Sequence, residues 1–348
     1  MGELRRGAPV IVEDAEHALL AFAVDGLTPP MLALAMRGEG GPARLLLTGR
    51  RAAALSLGAA DAAAVGFAWT GPLDVAQLND LADPLSTAGA GPQGLRKVPV
   101  GLLDRAVIEL TKLALLLPAA IVAQIDAAKS ASPMRHTLRI QAAEVLAYRR
   151  SSARQLNRVS HARVPLVGAE NTEIVAFRAG DGGADHLAIV IGEPKPDKPP
   201  LTRLHSACMT GDLLGSLRCD CGDQLRGAIE VIAQSGAGIL LYLAQEGRGI
   251  GIANKLRAYE LQDAGVDTID ANQLLGFEAD ERSYLAAAEM LHQLGFAKVR
   301  LLTNNPEKVT ALESCGIRVV ERVPHVFPEN PHNSAYLRTK ATRAGHLF

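Results

Sequence analysis

The sequence contains little cysteine, with 4 residues among 348, and all four lie after residue 200. A disulfide-stapled scaffold needs a much higher density of cysteine, so that class of protein is excluded. A strong charge of one sign is also missing, because the formal net charge is −1. A surface for nucleic acid or anionic membrane needs a large basic excess, so we expect neither as a partner.

Long apolar segments and a targeting pattern are missing as well. The longest uncharged apolar segment, residues 113–125, contains Pro118 and is shorter than the ~20 residues that cross a bilayer. The first residues lack the apolar core of a secretory signal, so we expect a cytoplasmic protein. Hydrophobic residues make up 48% of the chain and charged residues 21%, which is typical of a globular protein.

Length and composition indicate two domains. The chain of 348 residues exceeds one ordinary hydrophobic core. Residues 1–160 are rich in Ala and Leu and poor in residues that carry chemistry, whereas residues 161–348 alternate strand-like and helix-like segments. We place the boundary near residue 160, within an Arg- and Ser-rich segment, 149–163, that is typical of a linker.

The alternation in the second part predicts an α/β domain built as three layers, with a largely parallel sheet between helices. The predicted strands are 172–178, 186–191, 202–205, 238–243, 299–302 and 319–322, and the predicted helices are 223–235, 252–263, 281–294 and 307–314. In the first part, strand-like residues 10–13 and 43–47 and a helical period over 102–117 predict a smaller α/β or α+β domain.

Three of the four cysteines, Cys208, Cys219 and Cys221, lie within 14 residues. Three thiolates suit zinc, and a catalytic zinc site keeps its fourth position open for water, which favours hydrolysis. Cys315 stands far along the chain beside a glycine, and we interpret it as a small buried residue. His205 is the rival for the fourth position, with a structural or substrate-contacting role as the alternative.

Several features are compatible with a phosphorylated substrate. Residues 245–251 follow a predicted strand and open a predicted helix, where free backbone N–H groups attract anions. They match neither the dinucleotide fingerprint nor the P-loop, so turn glycines are an equal alternative. Cationic residues at the edges of predicted elements would clamp a triphosphate, although each is also readily explained as a surface charge: Arg203, Arg218, Arg248, Arg282 and Lys308.

Two further polar residues have two interpretations each. Asp280 is predicted to open the helix 281–294, so it is either an N-cap or a proton acceptor. Tyr259 lies on the helix 252–263 and either packs or donates its hydroxyl.

In their order along the chain, these motifs resemble GTP cyclohydrolase II, the first enzyme of riboflavin biosynthesis. The likeness covers about residues 161 to 348. The matching motifs are RLHSACMTGD at 203–212, LRCDCG at 217–222, QEGRGIG at 245–251, NKLRAY at 254–259, DER at 280–282, LTNNP at 302–306, and TK and GHL near the end of the chain.

The resemblance implies a homodimeric zinc hydrolase that opens the guanine imidazole ring of GTP. Formate and phosphate or diphosphate would leave, and 2,5-diamino-6-(5-phosphoribosylamino)pyrimidin-4-one would remain. One Zn²⁺ per subunit would be held by Cys208, Cys219 and Cys221, with Mg²⁺ on the GTP phosphates. The implied GTP-binding residues are Arg203, Leu204, His205, Ser206, Ala207, Gln224, Glu246, Gly247, Arg248, Thr268, Thr303 and Lys308.

The resemblance also implies three catalytic residues. Tyr259 would help at the reacting centre, and Asp280 would accept a proton. Arg282 stands where the family assigns a nucleophile toward the α-phosphate. A guanidinium keeps its proton, so we interpret Arg282 as an electrostatic clamp on the phosphate.

Two residues depart from the family pattern, since an acidic residue is usual where Ala207 stands and Arg is common where Ala244 stands. Neither departure removes a metal ligand or a catalytic group, so we expect activity with altered affinity for the substrate. Two alternatives remain open. One is a related ring-opening enzyme of another pathway, and the other is an inactive module that binds GTP or zinc.

The start of the chain resembles 3,4-dihydroxy-2-butanone 4-phosphate synthase, the usual fusion partner of GTP cyclohydrolase II. The likeness is carried by RGAPVIVED at residues 6–14. An acidic metal-binding run should follow there, but residues 15–21 read AEHALLA. We therefore predict a degenerate, non-catalytic domain that serves stability or assembly.

Overall fold

The computed structural model describes residues 1–37, 41–71, 73–86, 94–126 and 136–327, except for the side chain of Thr268. The motifs TK and GHL near the end of the chain lie outside these residues.

The chain forms two compact units. Unit 1 joins Met1–Tyr148 with Ile250–Glu281, and unit 2 joins Arg149–Gly249 with the described residues from Arg282 onward. The segment Ile250–Glu281 follows the predicted boundary in sequence but packs in unit 1. The boundary near residue 160 stays a prediction.

Unit 1 is built on a seven-stranded sheet in the order β5-β4-β3-β6-β2-β1-β7. Neighbouring strands are antiparallel except β1 and β7, which are parallel. The strands are β1 (Val10–Glu13), β2 (Ala18–Ala23), β3 (Arg44–Leu47), β4 (Val65–Trp69), β5 (Leu95–Val98), β6 (Ala119–Ile125) and β7 (Arg139–Gln141).

The helices described along the chain are α1 (Gly2–Arg5), α2 (Pro29–Met36), α3 (Gly49–Ala54), α4 (Val75–Ala82), α5 (Leu102–Leu113), α6 (Ala142–Arg154), α7 (Cys221–Gln234), α8 (Gly251–Asp263), α9 (Thr268–Leu274), α10 (Leu285–Gln293) and α11 (Pro306–Ser314). None of those in the described part of the chain is long and apolar enough to span a bilayer.

Successive side chains along the strands of unit 1 point to opposite faces of the sheet and pack into two hydrophobic clusters, as the two-residue period of a strand requires. In β2, Leu20 and Phe22 point into one cluster together with α2, α4, α8 and α9. Leu19 and Ala21 point into the other cluster together with α5. Both faces of the sheet are therefore covered.

Unit 2 is built on a second seven-stranded sheet, in the order β14-β13-β11-β12-β10-β9-β8. One cluster packs α7 on one face of the sheet, and another packs α10 and α11 on the other, which confirms three layers. The strands are β8 (Leu156–Arg163), β9 (Thr172–Ala179), β10 (His186–Ile191), β11 (Leu201–Ser206), β12 (Gly238–Leu243), β13 (Lys298–Leu302) and β14 (Arg318–Val323).

The predicted α/β class is confirmed, with one difference in the sheet of unit 2. The strands from β14 through β13 and β11 to β12 are parallel, whereas β12, β10, β9 and β8 are antiparallel neighbours. The sheet is therefore largely parallel only in one half. The antiparallel half begins where β10 pairs with β12, and within it a short connection, 180–185, joins β9 to β10 as a hairpin.

Two local predictions were wrong. Residues 149–163 are not a linker, because they form the end of α6 and the strand β8. Seven of the eight β8 residues are exposed. An exposed edge strand can have the same polar composition as a linker, which is why the composition was misleading. Asp280 does not open a helix, because residues 279–284 are irregular and α10 begins at Leu285.

Candidate metal centre and active site

Three neighbouring parallel strands of unit 2 determine where the candidate site lies. The carboxyl ends of β13, β11 and β12 meet at one edge of the sheet, which is where α/β proteins bind ligands. Cys208 follows β11, Glu246 follows β12 and Thr303 follows β13. Predicted site residues that are far apart in sequence thus share one edge.

Contacts between these segments hold the edge together. The backbone N–H of Met209, after β11, donates to Glu246 Oε2 at 2.6 Å. The Lys308 ammonium, on α11, donates to the backbone carbonyl of Leu204 in β11 at 3.2 Å. Lys308 is buried, which places a positive charge inside the sheet edge.

Arg203 is a second buried cation at this edge. Its Nη1 donates to the Leu302 carbonyl at 3.0 Å, and its Nη2 donates to Gln224 Oε1. Gln224 in turn donates to Asp220. Burial lowers the pKa of Arg203 to about 10, while Asp220 opposes that shift, so the guanidinium stays protonated at neutral pH. Its Nε is buried and has no partner among the described residues.

The three predicted zinc ligands converge. The Sγ atoms of Cys208, Cys219 and Cys221 lie within 4.8 Å of one another, and those of Cys208 and Cys219 are 3.7 Å apart. In the part of the chain that the structure describes, they form the one group of three or more His, Cys, Asp or Glu residues with metal-binding spacing. Cys315 is not in this group. It packs against the hydrophobic cluster of α10 and α11, but it is half-buried rather than buried as predicted.

A glycine makes room for the three sulfurs. A Cβ atom at Gly211 would lie 2.8 Å from Cys219 Sγ, 3.1 Å from Cys208 Sγ and 2.9 Å from Cys221 Cβ. The Gly211 N–H donates to Cys208 Sγ at 3.3 Å. Only glycine, which has no side chain, therefore fits at position 211 beside the three cysteines.

Without a cation, the clustered thiols favour their protonated form. The hydrogen bond with Cys208 raises the pKa of Cys219 to about 11, and burial adds to this effect. The same neighbour raises the pKa of Cys221 well above its ordinary value. A bound cation would have to displace these protons, so metal affinity should increase with pH.

Asp212, the last residue of the motif 203–212, holds the Cys208 loop, a role that the sequence did not assign to it. Its Oδ2 accepts the Cys208 N–H at 2.9 Å and the Tyr242 hydroxyl at 3.0 Å. His205 Nε2 lies 3.0 Å from its Oδ1. The carboxylate side chain is only 6% exposed, so it satisfies three donors in a nearly dry environment. The signal available in the sequence was its turn spacing, four residues after Cys208.

His205 is oriented by this network. Its side chain is 3% exposed, and its ring stacks on Tyr242 with centroids 5.6 Å apart. Burial lowers the pKa of His205, which favours the neutral ring with the proton on Nε2, facing Asp212. Nδ1 is then a buried acceptor with no partner among the described residues.

The loop after β12 is built on left-handed backbone. Gly247, Arg248 and Gly249 have φ values of 63°, 60° and 91°. Arg248 is a non-glycine residue in this region, a conformation that is costly and found most often at functional sites. Glu246 Oε1 accepts the Gly247 N–H at 3.0 Å and so ties the start of the turn.

Known proteins resemble this chain over nearly its full length. The family model described as GTP cyclohydrolase II matches residues 157–324. A relative named GTP cyclohydrolase-2 from Azospirillum brasilense is 51% identical over 353 residues, which cover 99% of this chain and 92% of the relative. This chain belongs to the GTP cyclohydrolase II family. The resemblance carried by the motifs is confirmed, and the chain is a hydrolase.

A shorter member of the GTP cyclohydrolase II family comes from Yersinia pseudotuberculosis, and it is 52% identical over 194 residues, which are 56% of this chain and 98% of the relative. A crystal structure of a two-domain 3,4-dihydroxy-2-butanone 4-phosphate synthase from A. baumannii shares 17% identity and covers 92% of this chain and 97% of its own, with a TM-score of 0.33. That score is too low to support an inference.

The remaining residues expected from the GTP cyclohydrolase II family divide between the two units. Thr303 is buried in unit 2, and its Oγ1 accepts the Asn305 N–H at 3.1 Å. Tyr259 on α8, Thr268 at the start of α9 and Asp280 after α9 belong to unit 1. The expected site residues therefore belong to two different units.

His325, after β14, is a residue that the sequence analysis missed, and no local pattern points to it. Its Nε2 lies 2.9 Å from the Gln224 carbonyl, and Asn304 accepts its backbone N–H at 2.7 Å. Burial lowers the pKa of His325 to about 4, and the Arg203 charge acts in the same direction. The neutral imidazole thus supports the helix that carries Gln224.

Replacing Asp212 by alanine should leave three donors without their acceptor. We expect the free energy of unfolding to fall by about 1–3 kcal/mol, because buried donors lose their partner. Urea unfolding of the two proteins measures the difference. Asp223→Ala is the control, since Asp223 is 60% exposed and pairs with an exposed arginine, which predicts a change below about 1 kcal/mol. Equal losses in both variants would contradict the role of Asp212.

Replacing His325 by glutamine should weaken the acid sensitivity of folding. The folded protein protonates His325 near pH 4 and the unfolded chain near pH 6.5, so between these values protons favour unfolding. Stability should fall as pH decreases through this window, by at most about 1.4 kcal/mol per pH unit from this residue. Urea unfolding at several pH values should give a shallower slope for His325→Gln than for the parent or for exposed His292→Gln. Parallel slopes would refute the assignment.

Proposed function

We propose that this protein is a zinc-dependent GTP cyclohydrolase II that opens the guanine imidazole ring of GTP by hydrolysis. Formate and phosphate or diphosphate would leave, and 2,5-diamino-6-(5-phosphoribosylamino)pyrimidin-4-one would remain. The observation that carries the proposal is the convergence of three cysteine sulfurs within 4.8 Å at the sheet edge that also buries Arg203 and Lys308.

The residues present fit zinc. Three thiolates are soft donors that zinc prefers, and the cradle at Gly211 keeps their common space free of side-chain atoms. No fourth His, Cys, Asp or Glu of the described ranges joins the group, as expected for a catalytic rather than a structural site. When bound, zinc supplies Lewis-acid activation for hydrolysis.

The cations of the site support a triphosphate substrate. Arg203 and Lys308 hold positive charge at the edge of the sheet, and Arg248 lies on the left-handed loop. We assign Arg282 the role of an electrostatic clamp on phosphate, because its guanidinium cannot lose a proton. For Mg²⁺, the described residues offer no second cluster of candidate ligands, so phosphate oxygens and water would supply most of its coordination.

His205 and Gln224 are suited to bind the nucleotide. The buried Nδ1 of His205 is an acceptor held in place by Asp212 and Tyr242, so it would receive a donor from GTP. Gln224 is oriented by Arg203 and Asp220. The roles of Asp280 as proton acceptor and of Tyr259 at the reacting centre rest on the family resemblance. The proposals that the protein is a cytoplasmic homodimer and that it acts in riboflavin biosynthesis also rest on the family resemblance.

The amino-terminal part would not act as a butanone phosphate synthase. Asp14 Oδ1 accepts the backbone N–H groups of Glu16 and His17 at 2.9 and 2.8 Å, so it closes the turn between β1 and β2. Glu13 pairs with Arg139 of β7. Both acidic residues of the synthase-like segment therefore have structural partners, and no acidic run follows them.

Replacing Cys219 by serine should abolish zinc binding and formate release together, because a hydroxyl is a harder and weaker ligand than a thiolate. Cys315→Ser is the matched control and should retain both. Zinc content is measured by atomic absorption, and formate and the pyrimidine product are followed with GTP and Mg²⁺.

The products that the zinc-loaded parent protein releases from GTP distinguish the proposed function from its two alternatives. Formate together with the diaminopyrimidine supports the proposal. Formate with a different product indicates a ring-opening enzyme of another pathway. No formate from intact, zinc-loaded protein indicates an inactive binding module. Formate release by metal-free Cys219→Ser would overturn the zinc mechanism.

Replacing Gly211 by alanine should exclude zinc while the sheet of unit 2 stays folded. The new Cβ would stand 2.8 Å from Cys219 Sγ, closer than any real contact, so the sulfurs would have to separate. Gly180→Ala is the control, because its Cβ would meet only Gln155 Oε1 at 3.8 Å. Zinc content and circular dichroism report binding and folding separately. Full zinc occupancy in Gly211→Ala would show that the cradle is not the metal site.

A further inference from the structure

The segment Ile250–Glu281 links the two parts of the sequence. It lies within residues 157–324, which match the GTP cyclohydrolase II family. It carries Tyr259, Thr268 and Asp280, yet it packs in unit 1 with Met1–Tyr148. In this chain the segment therefore packs with the amino-terminal part.

Apolar packing makes the segment part of the unit 1 core. Leu275 and Phe277 are fully buried in one cluster with Phe22 of β2 and Phe67 of β4. Ala258 and Leu261 of α8 and Ala271 of α9 belong to the same cluster. Side chains from α8, α9 and the residues after α9 thus complete one face of the sheet.

Two glycines bring the segment against the amino-terminal part. Gly276 has φ +90°, and a Cβ there would lie 2.9 Å from both Pro118 Cγ and Thr48 Oγ1. Gly251 has φ +84°, and its Cβ would lie 3.1 Å from Leu115 Cβ. Both positions require glycine for backbone conformation and for close approach.

Charged side chains fix the two helices. Arg257 of α8 donates from Nη2 and Nη1 to the two carboxylate oxygens of Asp25, at 3.1 and 3.2 Å, and its Nε lies 3.1 Å from Asp83 Oδ2. The buried guanidinium of Arg51 donates to the Leu274 carbonyl at the end of α9, at 3.1 Å. These bonds are bidentate or made to backbone, so they restrict orientation as well as distance.

One ion pair reaches the neighbour of Asp280. Lys112 Nζ of α5 lies 2.7 Å from Glu281 Oε1, and the two side chains are only 12% and 9% exposed. The same oxygen accepts the Glu278 N–H at 3.0 Å. Residues 279–284 lack regular structure, and this nearly buried pair is one contact that ties the backbone beside Asp280 to α5.

We propose that the amino-terminal part of the chain is a scaffold for the catalytic segment Ile250–Glu281, and that Lys112 is a positioning residue that acts on Asp280 through Glu281. This proposal rests on the proposed function, because the role of Asp280 as proton acceptor is part of that function. It gives the amino-terminal part a task in GTP hydrolysis that needs no synthase chemistry. Lys112 itself need not touch substrate.

The test uses the full-length, zinc-loaded protein with the substitution Lys112→Met, which keeps the apolar stem and removes the charge. We expect kcat for formate release to fall at least about tenfold, since small displacements of catalytic groups are costly. KM for GTP should stay within about twofold, which separates positioning from binding. Zinc content should be unchanged.

Four variants make the result specific. Lys112→Arg should restore most of kcat, because it keeps the cation. Glu281→Gln should reproduce the loss, and the double variant should be no worse than either single one, as expected when two residues act through one interaction. Lys97→Met is the matched control on the exposed strand β5 and should behave like the parent.

Hydrogen exchange of peptides covering residues 276–284 gives a readout independent of turnover. Faster exchange there in Lys112→Met, with parent-like exchange in β11 and α7, supports the scaffold. Parent-like kcat and exchange in Lys112→Met would overturn it, as would a lower melting temperature with kcat per folded molecule unchanged. If the parent releases no formate, the proposed function fails, and the exchange data alone then decide whether Lys112 orders the segment.

Discussion

The candidate site depends on one steric constraint, which is that three cysteine sulfurs and the backbone of Gly211 occupy a space with no room for another side chain. Cys208 follows the strand β11, whereas Cys219 precedes the helix α7 and Cys221 begins it. The sulfurs meet only when both elements are in place. A metal held there would therefore couple its binding free energy to the folding of unit 2.

The charges of the site follow from the same edge of the sheet. Burying a cation is unfavourable unless its donors are satisfied. Here the Leu302 carbonyl accepts a hydrogen bond from Arg203, and the Leu204 carbonyl accepts one from Lys308. The sheet thus holds positive charge where solvent screening is weak. Such a field attracts an anionic substrate, which agrees with GTP as the substrate of the family.

The amino-terminal part contributes through packing. Its sheet shares a core with α8 and α9, and its charged side chains bond to residues that flank the expected catalytic positions. The relative from Azospirillum brasilense matches this chain over 99% of its length, so it has a counterpart of this part as well. In our proposal, such a domain contributes to the reaction by restricting the backbone of the catalytic segment rather than by chemistry of its own.

The sequence by itself determined the α/β class, most strands and helices of unit 2, and the three cysteines as a group, because these depend on local periodicity and short spacing. The order of motifs was enough to identify the family. Only the tertiary structure decided that Tyr242 donates to Asp212, that His325 supports Gln224, and that residues 250–281 pack in unit 1. These features depend on which strands become neighbours and which surfaces are buried, and no local pattern encodes either.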